Sequence, residues 1–233
     1  MKIVGNGFIA KNLKKISIPN NFCVYAAGVS NSNLSNVKNF KREINEFNKF
    51  RKKINSKKIV IYVSSLSVEN KNLKNDKYVK NKLNIENLIK KNIKKFLIVR
   101  LPQVVGKNKN KYTLTNSIFN TLTKNQNFFL WEGSMRNLVD IDDVTNIISN
   151  YLNNKPKINT TINIFNPKSI AVIDLLKIFA SILNKKFQFT SLKRKNKNIN
   201  LNKINKKTLL HKKYYRNLIR KNYIKKVLEK YYK

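Results

Sequence analysis

The chain has 233 residues, enough for one domain with a sizeable core or one domain with a small second lobe. Hydrophobic residues make up 41% of it, which excludes a disordered polyelectrolyte, and a single cysteine, Cys23, excludes an internal disulfide framework. The formal net charge of +39 suits an anionic partner, but the excess is nearly all Lys, spread along the chain with abundant Asn, while Arg is sparse. That pattern fits compositional drift on solvated faces and points away from nucleic acid, which stays as an alternative partner.

In chain order, Lys2 to Val4 reads as a short buried strand, Gly5-Asn6-Gly7 as a tight turn and Phe8 to Lys15 as a helix. Phe22 to Ala27 is a second strand, closed by Gly28. Ser35 to Ile54 is the clearest helix, with Val37, Phe40, Ile44, Phe47 and Ile54 recurring at helical steps between charged residues. Lys58 to Ser64 is a near-continuous apolar strand, as in a sheet covered on both faces. Asp76 to Lys91 is helical, and Phe96 to Leu101 is a strand stopped by Pro102. Helices are expected over Thr115 to Lys124 and from near Asp142, with a short strand at Leu138 to Ile141 before the second. Thr161 to Phe165 reads as a strand, and Ser169 as the cap of a helix to Leu183. Residues 193–207 read as loose, and the apolar positions from Leu209 onward suggest one or two amphipathic helices. Alternating strands and helices predict a parallel sheet with right-handed crossovers. No apolar run approaches the roughly 20 residues of a membrane span, and the first apolar stretch is too short for a secretory leader. The expected location is the cytoplasm, with no membrane partner.

Gly5-Asn6-Gly7-Phe8-Ile9-Ala10 fits G-x-G-x-x-A between a strand and a helix. Gly5 suits the turn, Gly7 lets backbone approach a pyrophosphate, and Ala10 lets the helix pack closely. Free amides at the helix start favour an anion. An acid about 20 positions on would be expected to hold an adenosine ribose, yet nothing acidic lies between Gly7 and Glu43. Ile16 to Asn21 is also too short for a further strand, crossover and strand.

Tyr78 and Lys82 are four apart on a predicted helix and share a face, with Ile85 and Ile89 continuing the stripe. A phenol is a poor acid or base near neutrality, and a nearby ammonium favours its ionised form. The tyrosine can then exchange a proton with a substrate hydroxyl or carbonyl while a hydride moves. Ser64-Ser65 at the preceding strand end offers a hydroxyl for the same oxygen. In a Lys-rich chain this pair alone also fits a half-buried Tyr beside a surface Lys. The order of the elements gives it weight.

That order is Gly turn, FCVYAAGVS, VSSLSV, Tyr78 with Lys82, Arg100-Leu101-Pro102-Gln103-Val104-Val105-Gly106, then Arg136-Asn137-Leu138-Val139-Asp140-Ile141-Asp142-Asp143-Val144. It resembles the NAD-dependent epimerase/dehydratase family, the extended short-chain dehydrogenase/reductases, over nearly the whole chain. The resemblance implies an α/β fold, a Rossmann-like parallel sheet of reduced strand count with flanking helices and a small C-terminal substrate lobe. Residues 1–105, with 137–160 returning to them, would form the NAD(P)-binding part, and 106–136 with 161–233 the lobe. It implies NAD or NADP as cofactor, a nucleotide-sugar substrate, and a homodimer as one assembly open to the chain. Tyr78, Lys82 and Ser65 take the catalytic roles. Gly5, Gly7, Phe8, Ile9, Ala10, Ala26, Ala27, Gly28, Lys82 and Pro102 line the cofactor, and Ser65 and Arg136 the substrate. The reaction class is epimerase, dehydratase or reductase; the alternatives are a non-catalytic dinucleotide- or sugar-nucleotide-binding protein and a basic RNA- or DNA-binding protein on the same scaffold.

Three departures stand out. The strand-helix-strand block after the first helix is almost absent. Val4 and Ala10 replace two glycines of the family's turn. The loop from Ser65 to Tyr78 is short, with Glu69-Asn70 where Tyr-Gly often sits, which suggests a different or more open substrate mouth. Among other residues, His211 and Cys23 receive no functional role, and no Cys/His cluster has metal spacing. Trp131 suits either a stacking contact with ligand or the lobe interface. Asp142 and Asp143 read as caps.

Overall fold

The structure, a computed structural model, describes residues 3–28, 37–193 and 198–233. In chain order it holds β1 (Ile3–Val4), α1 (Phe8–Leu13), β2 (Phe22–Tyr25), α2 (Val37–Lys53), β3 (Ile59–Ser65) and α3 (Lys77–Asn92). Then come β4 (Phe96–Leu101), β5 (Gln103–Val105), α4 (Leu114–Thr123), β6 (Phe128–Trp131), β7 (Met135–Arg136), β8 (Leu138–Asp140) and α5 (Ile141–Asn153). The chain closes with β9 (Thr160–Asn163), β10 (Ile170–Ala171), α6 (Val172–Leu183), β11 (Phe189–Leu192) and α7 (Tyr223–Tyr232). The expected helix start at Ser35 lies outside the described residues.

Five strands form a parallel sheet in the order β1-β2-β3-β4-β9. Because side chains alternate across a strand, each strand feeds both faces. Val24, Ile61, Leu97 and Val99 pack with Leu13 of α1 and Val144 and Ile148 of α5. Tyr25, Tyr62 and Ile98 pack with Phe47 of α2 and Ile85 and Ile89 of α3. Helices on both faces explain why all six residues of β4 are buried.

The missing block has a direct consequence. β2 pairs with β1 (Ile3 opposite Val24), so β1 is the last strand of the sheet on that side among the described residues. The chain from α1 to β2 runs through Pro19, whose carbonyl accepts from the Phe22 amide, and enters the sheet at once.

Three expectations are corrected. Ser169 does not cap α6. Ile170–Ala171 form a strand against Met135–Arg136, and Ala171 is the N-cap, without a side-chain cap hydrogen bond. The strand-like pairing delays the helix by two residues, and the Ser169 hydroxyl instead accepts from Asn137. The division that gave residues 161–233 to the lobe is also displaced: β9 is hydrogen-bonded to β4, so the chain leaves the main sheet only after Asn163. Of residues 193–207, the described part is not loose throughout, since Leu201–Lys203 and Lys206–Thr208 are 3-10 turns, each opened by an Asn side chain.

The C-terminal helix is fastened to the start of α5. Asp140 caps α5 by accepting from the Asp142 amide, and Asp142 and Asp143 complete an acidic first turn that the helix dipole favours. Tyr231 donates to Asp140 (2.6 Å), Lys230 bridges Asp140 and Asp142, and Tyr223 donates to Asp143 while accepting from the Asp140 amide. No helix among the described residues is long and apolar enough to cross a membrane.

Candidate functional site

The turn after β1 places two glycines with different duties. Gly5 has φ +127, and a Cβ there would lie 2.4 Å from the Ala26 carbonyl oxygen, so the close passage of β2 demands glycine. Gly7, the N-cap of α1, has φ -73 and ψ 176, which any residue could adopt. A Cβ on it would meet nothing within 4 Å. The backbone is therefore open to an approaching ligand at Gly7. Ala10 is fully buried, as close packing of α1 requires. Ile9 is half-buried against the core, and the Phe8 ring lies against Gly106, beyond β5. Ala26, Ala27 and Gly28 follow β2 as a half-buried segment, and Pro102 is half-buried between β4 and β5.

Asp76 fixes the start of α3. Its carboxylate accepts from the amides of Tyr78 and Val79, which sets Tyr78 in the first turn. Tyr78 is half-buried, and the Lys82 ammonium lies 5.6 Å from its ring centroid, so the four-residue spacing brings the pair together. The sequence alternative of a surface Lys fails, because Lys82 is 3% exposed.

What surrounds Lys82 was not anticipated. Its Nζ donates to Glu43 Oε1 at 2.9 Å, and Glu43, on α2, is 2% exposed. Asn81 donates to Glu43 Oε2 at 2.8 Å, and the Tyr62 hydroxyl donates to Oε1 at 3.3 Å. Burial first, and the Glu43 carboxylate second, push the Tyr62 phenol well above its ordinary value, so it remains a donor. Gly28 roofs the pair: a Cβ there would fall 2.4 Å from Lys82 Nζ and 2.6 Å from Glu43 Oε1. The one legible signal was an acid on the apolar stripe of α2, beside Ile44 and one turn before Phe47.

The two serines at the end of β3 diverge as strand alternation requires. Ser64 is buried and donates to Glu86 Oε1 at 2.7 Å. Ser65 is half-buried, and its oxygen accepts from the Ser67 amide, which leaves its proton to donate. Glu86, four residues beyond Lys82 on α3, holds Arg100 in a two-pronged pair with Nε at 2.8 Å and Nη2 on the second oxygen. Arg100 Nη1 donates to Glu69 at 2.6 Å, and Asn163 donates to the same Glu69 oxygen. In the short loop Asn70 is buried and donates to the Asn198 carbonyl.

Arg136 is half-buried on the β7–β10 ribbon, where its Nη1 donates to the Met135 carbonyl. Trp131 is 38% exposed on β6, which pairs with β11. A cavity of about 290 Å³ is lined by Gly106, Lys107, Lys109, Lys111, Tyr231 and Tyr232 among others, and does not include Ser65, Tyr78 or Lys82.

A Rossmann-like α/β sheet with a glycine turn after its first strand and a Tyr/Lys helix after its third defines the class of fold. Solved structures place it more closely. The chain is similar to RMD from Pseudomonas aeruginosa in complex with NADPH, with a TM-score of 0.70 and 13% identity over 97% of this chain and 95% of that one. It is similar to UDP-glucuronic acid 4-epimerase from Bacillus cereus in complex with NAD, at 0.66 and 18% over 97% and 76%. It is also similar to dTDP-glucose 4,6-dehydratase from Bacillus anthracis in complex with NAD, at 0.65 and 12% over 90% and 70%. No protein-family model and no curated protein matches its sequence. The chain thus shares the fold of these three proteins with little of their sequence.

Proposed function

We propose that this protein is an NAD(P)-dependent epimerase, dehydratase or reductase acting on a nucleotide-activated sugar. The observation that carries the reading is the half-buried Tyr78 with the Lys82 ammonium 5.6 Å from its ring, on a fold whose turn is open at Gly7. Gly5, Gly7 and Ala10, with Phe8 and Ile9 at the helix start, would hold the cofactor pyrophosphate, and Ala26, Ala27, Gly28 and Pro102 its further course. The turn fits that group because Gly7 has free space where a side chain would stand. The cofactor, when bound, supplies the hydride acceptor or donor. Tyr78 gives or takes the proton at the sugar oxygen, and Ser65 donates a hydrogen bond to that oxygen. Lys82 supplies positive charge behind the phenol. Arg136 offers a planar fork to the sugar's phosphates.

One observation supports a second reading, a binding protein without turnover: among the described residues the sheet ends at β1, where adenosine-side strands would follow. Tyr78→Phe separates the two. It removes one hydroxyl and keeps the ring, so NADH and NADPH affinity should be unchanged. Turnover of nucleotide sugars should fall about 10²–10⁴-fold, the usual share of general acid-base catalysis. Wild-type protein that binds cofactor yet exchanges no hydride with any nucleotide sugar would leave only the binding reading.

A further inference from the structure

Lys82 has a competitor for its charge. In the arrangement assigned to catalysis, its ammonium acts on Tyr78, but its nearest charged partner is Glu43, at 2.9 Å and itself buried. The Tyr78 and Tyr62 rings are at 5.6 and 5.8 Å. Seen from the phenol, Lys82 and Glu43 together are close to a neutral dipole. Coulomb attraction falls with distance and is strongest where water is excluded, so the carboxylate takes most of the ammonium's effect. The arrangement is built: Asn81 and Tyr62 donate to the same carboxylate, and the side-chain-free Gly28 closes over both ions.

We infer that Glu43 is a positioning residue that holds Lys82 as a neutral buried pair and thereby restrains the reactivity of Tyr78. This deepens the proposed function and rests on its assignment of Tyr78 and Lys82. It makes the α2 carboxylate the element that sets how strongly the Tyr78 site works. Anything that draws Glu43 away from Lys82 would release the full cation onto the phenol.

The test reads Tyr78 directly and needs neither cofactor nor sugar. Tetranitromethane nitrates ionised phenols, and peptide mass spectrometry reports the rate at Tyr78 alone, with the exposed Tyr112, which has no contact with Glu43, as the internal reference. Glu43→Gln keeps the shape and removes the charge, and should speed nitration of Tyr78 roughly tenfold or more. Glu43→Asp keeps the charge and should stay near the wild-type rate. Should Glu43→Gln fail to fold, a Glu43→Leu/Lys82→Met double variant removes the neutral pair together and should nitrate within about twofold of wild type, since little net charge is lost. A folded Glu43→Gln with the wild-type rate, or a double variant slowed about tenfold, would overturn the inference, because Lys82 would then be acting on Tyr78 in full. Faster nitration in Glu43→Gln with no turnover in any variant would leave the inference standing and remove the enzymatic reading instead.

Discussion

The two ends of the candidate site are built in opposite ways. Around β1 the chain is thin: a two-residue strand at the sheet edge, a six-residue helix, and a glycine with nothing beside it. Around β3, β4 and α3 it is dense, with Glu43–Lys82 and Glu69–Arg100–Glu86 buried and interlocked. The first region leaves room for an anionic ligand to complete it. The second completes itself with its own charges. The two regions therefore draw their order from different sources.

The dense region should break hardest. Arg100→Met leaves the buried Glu86 and the half-buried Glu69 without their cation, and removing one partner of a buried pair costs about 3–5 kcal/mol. Denaturant unfolding measures it; a loss under about 1 kcal/mol would mean the network is not a stabilising unit. In the thin region the largest effect falls on the turn. Gly5→Ala places a Cβ against the Ala26 carbonyl at φ +127, where strain alone costs about 1–3 kcal/mol. An unchanged midpoint in the same assay would show that β1 and β2 are not held so close.

A smaller, pH-dependent effect belongs to the α5–α7 junction. Burial first, with the Asp143 carboxylate adding to it and the Asp140 amide hydrogen bond working against it, raises the Tyr223 phenol, and burial with the Asp140 hydrogen bond raises Tyr231. The folded values lie above the unfolded value near 10, so their stabilisation is full below about pH 10 and is lost as pH rises through the folded values. The melting temperature should fall above about pH 10, and a Tyr223→Phe/Tyr231→Phe variant should show a shallower fall. The same fall in both proteins would place the alkaline sensitivity elsewhere.

Which parts were legible in the sequence follows the same contrast. The main sheet, its reduced strand count and the Tyr78–Lys82 pair were readable because apolar runs, helical spacing and a glycine turn are local signals. Glu43 showed in the sequence only as an acid on the apolar stripe of α2, because its partner Lys82 lies 39 residues away and a non-local pair leaves no local pattern. Glu86 was closer to hand, since Tyr78, Lys82 and Glu86 repeat every four residues. The ribbons of the second lobe were missed for a different reason: Phe128–Trp131 alternates buried and exposed in the fold, but all four residues are apolar, so no alternation shows in the sequence. Ser169 misled because a good capping residue precedes the helix, while the backbone stays extended through Ala171.

Whether the open turn of the thin region holds a dinucleotide pyrophosphate is read most directly from Gly7→Val. Gly7 has ordinary backbone angles and empty space beside it, so valine should fold with nearly the wild-type melting temperature. Its side chain would nevertheless occupy the place where the phosphates must approach the backbone. Titration of NADH and NADPH by fluorescence should show binding to the wild-type chain and a loss of at least roughly tenfold in the variant, a difference of about 1.4 kcal/mol. Equal affinity in both proteins, or no binding by the folded wild type, would contradict the account.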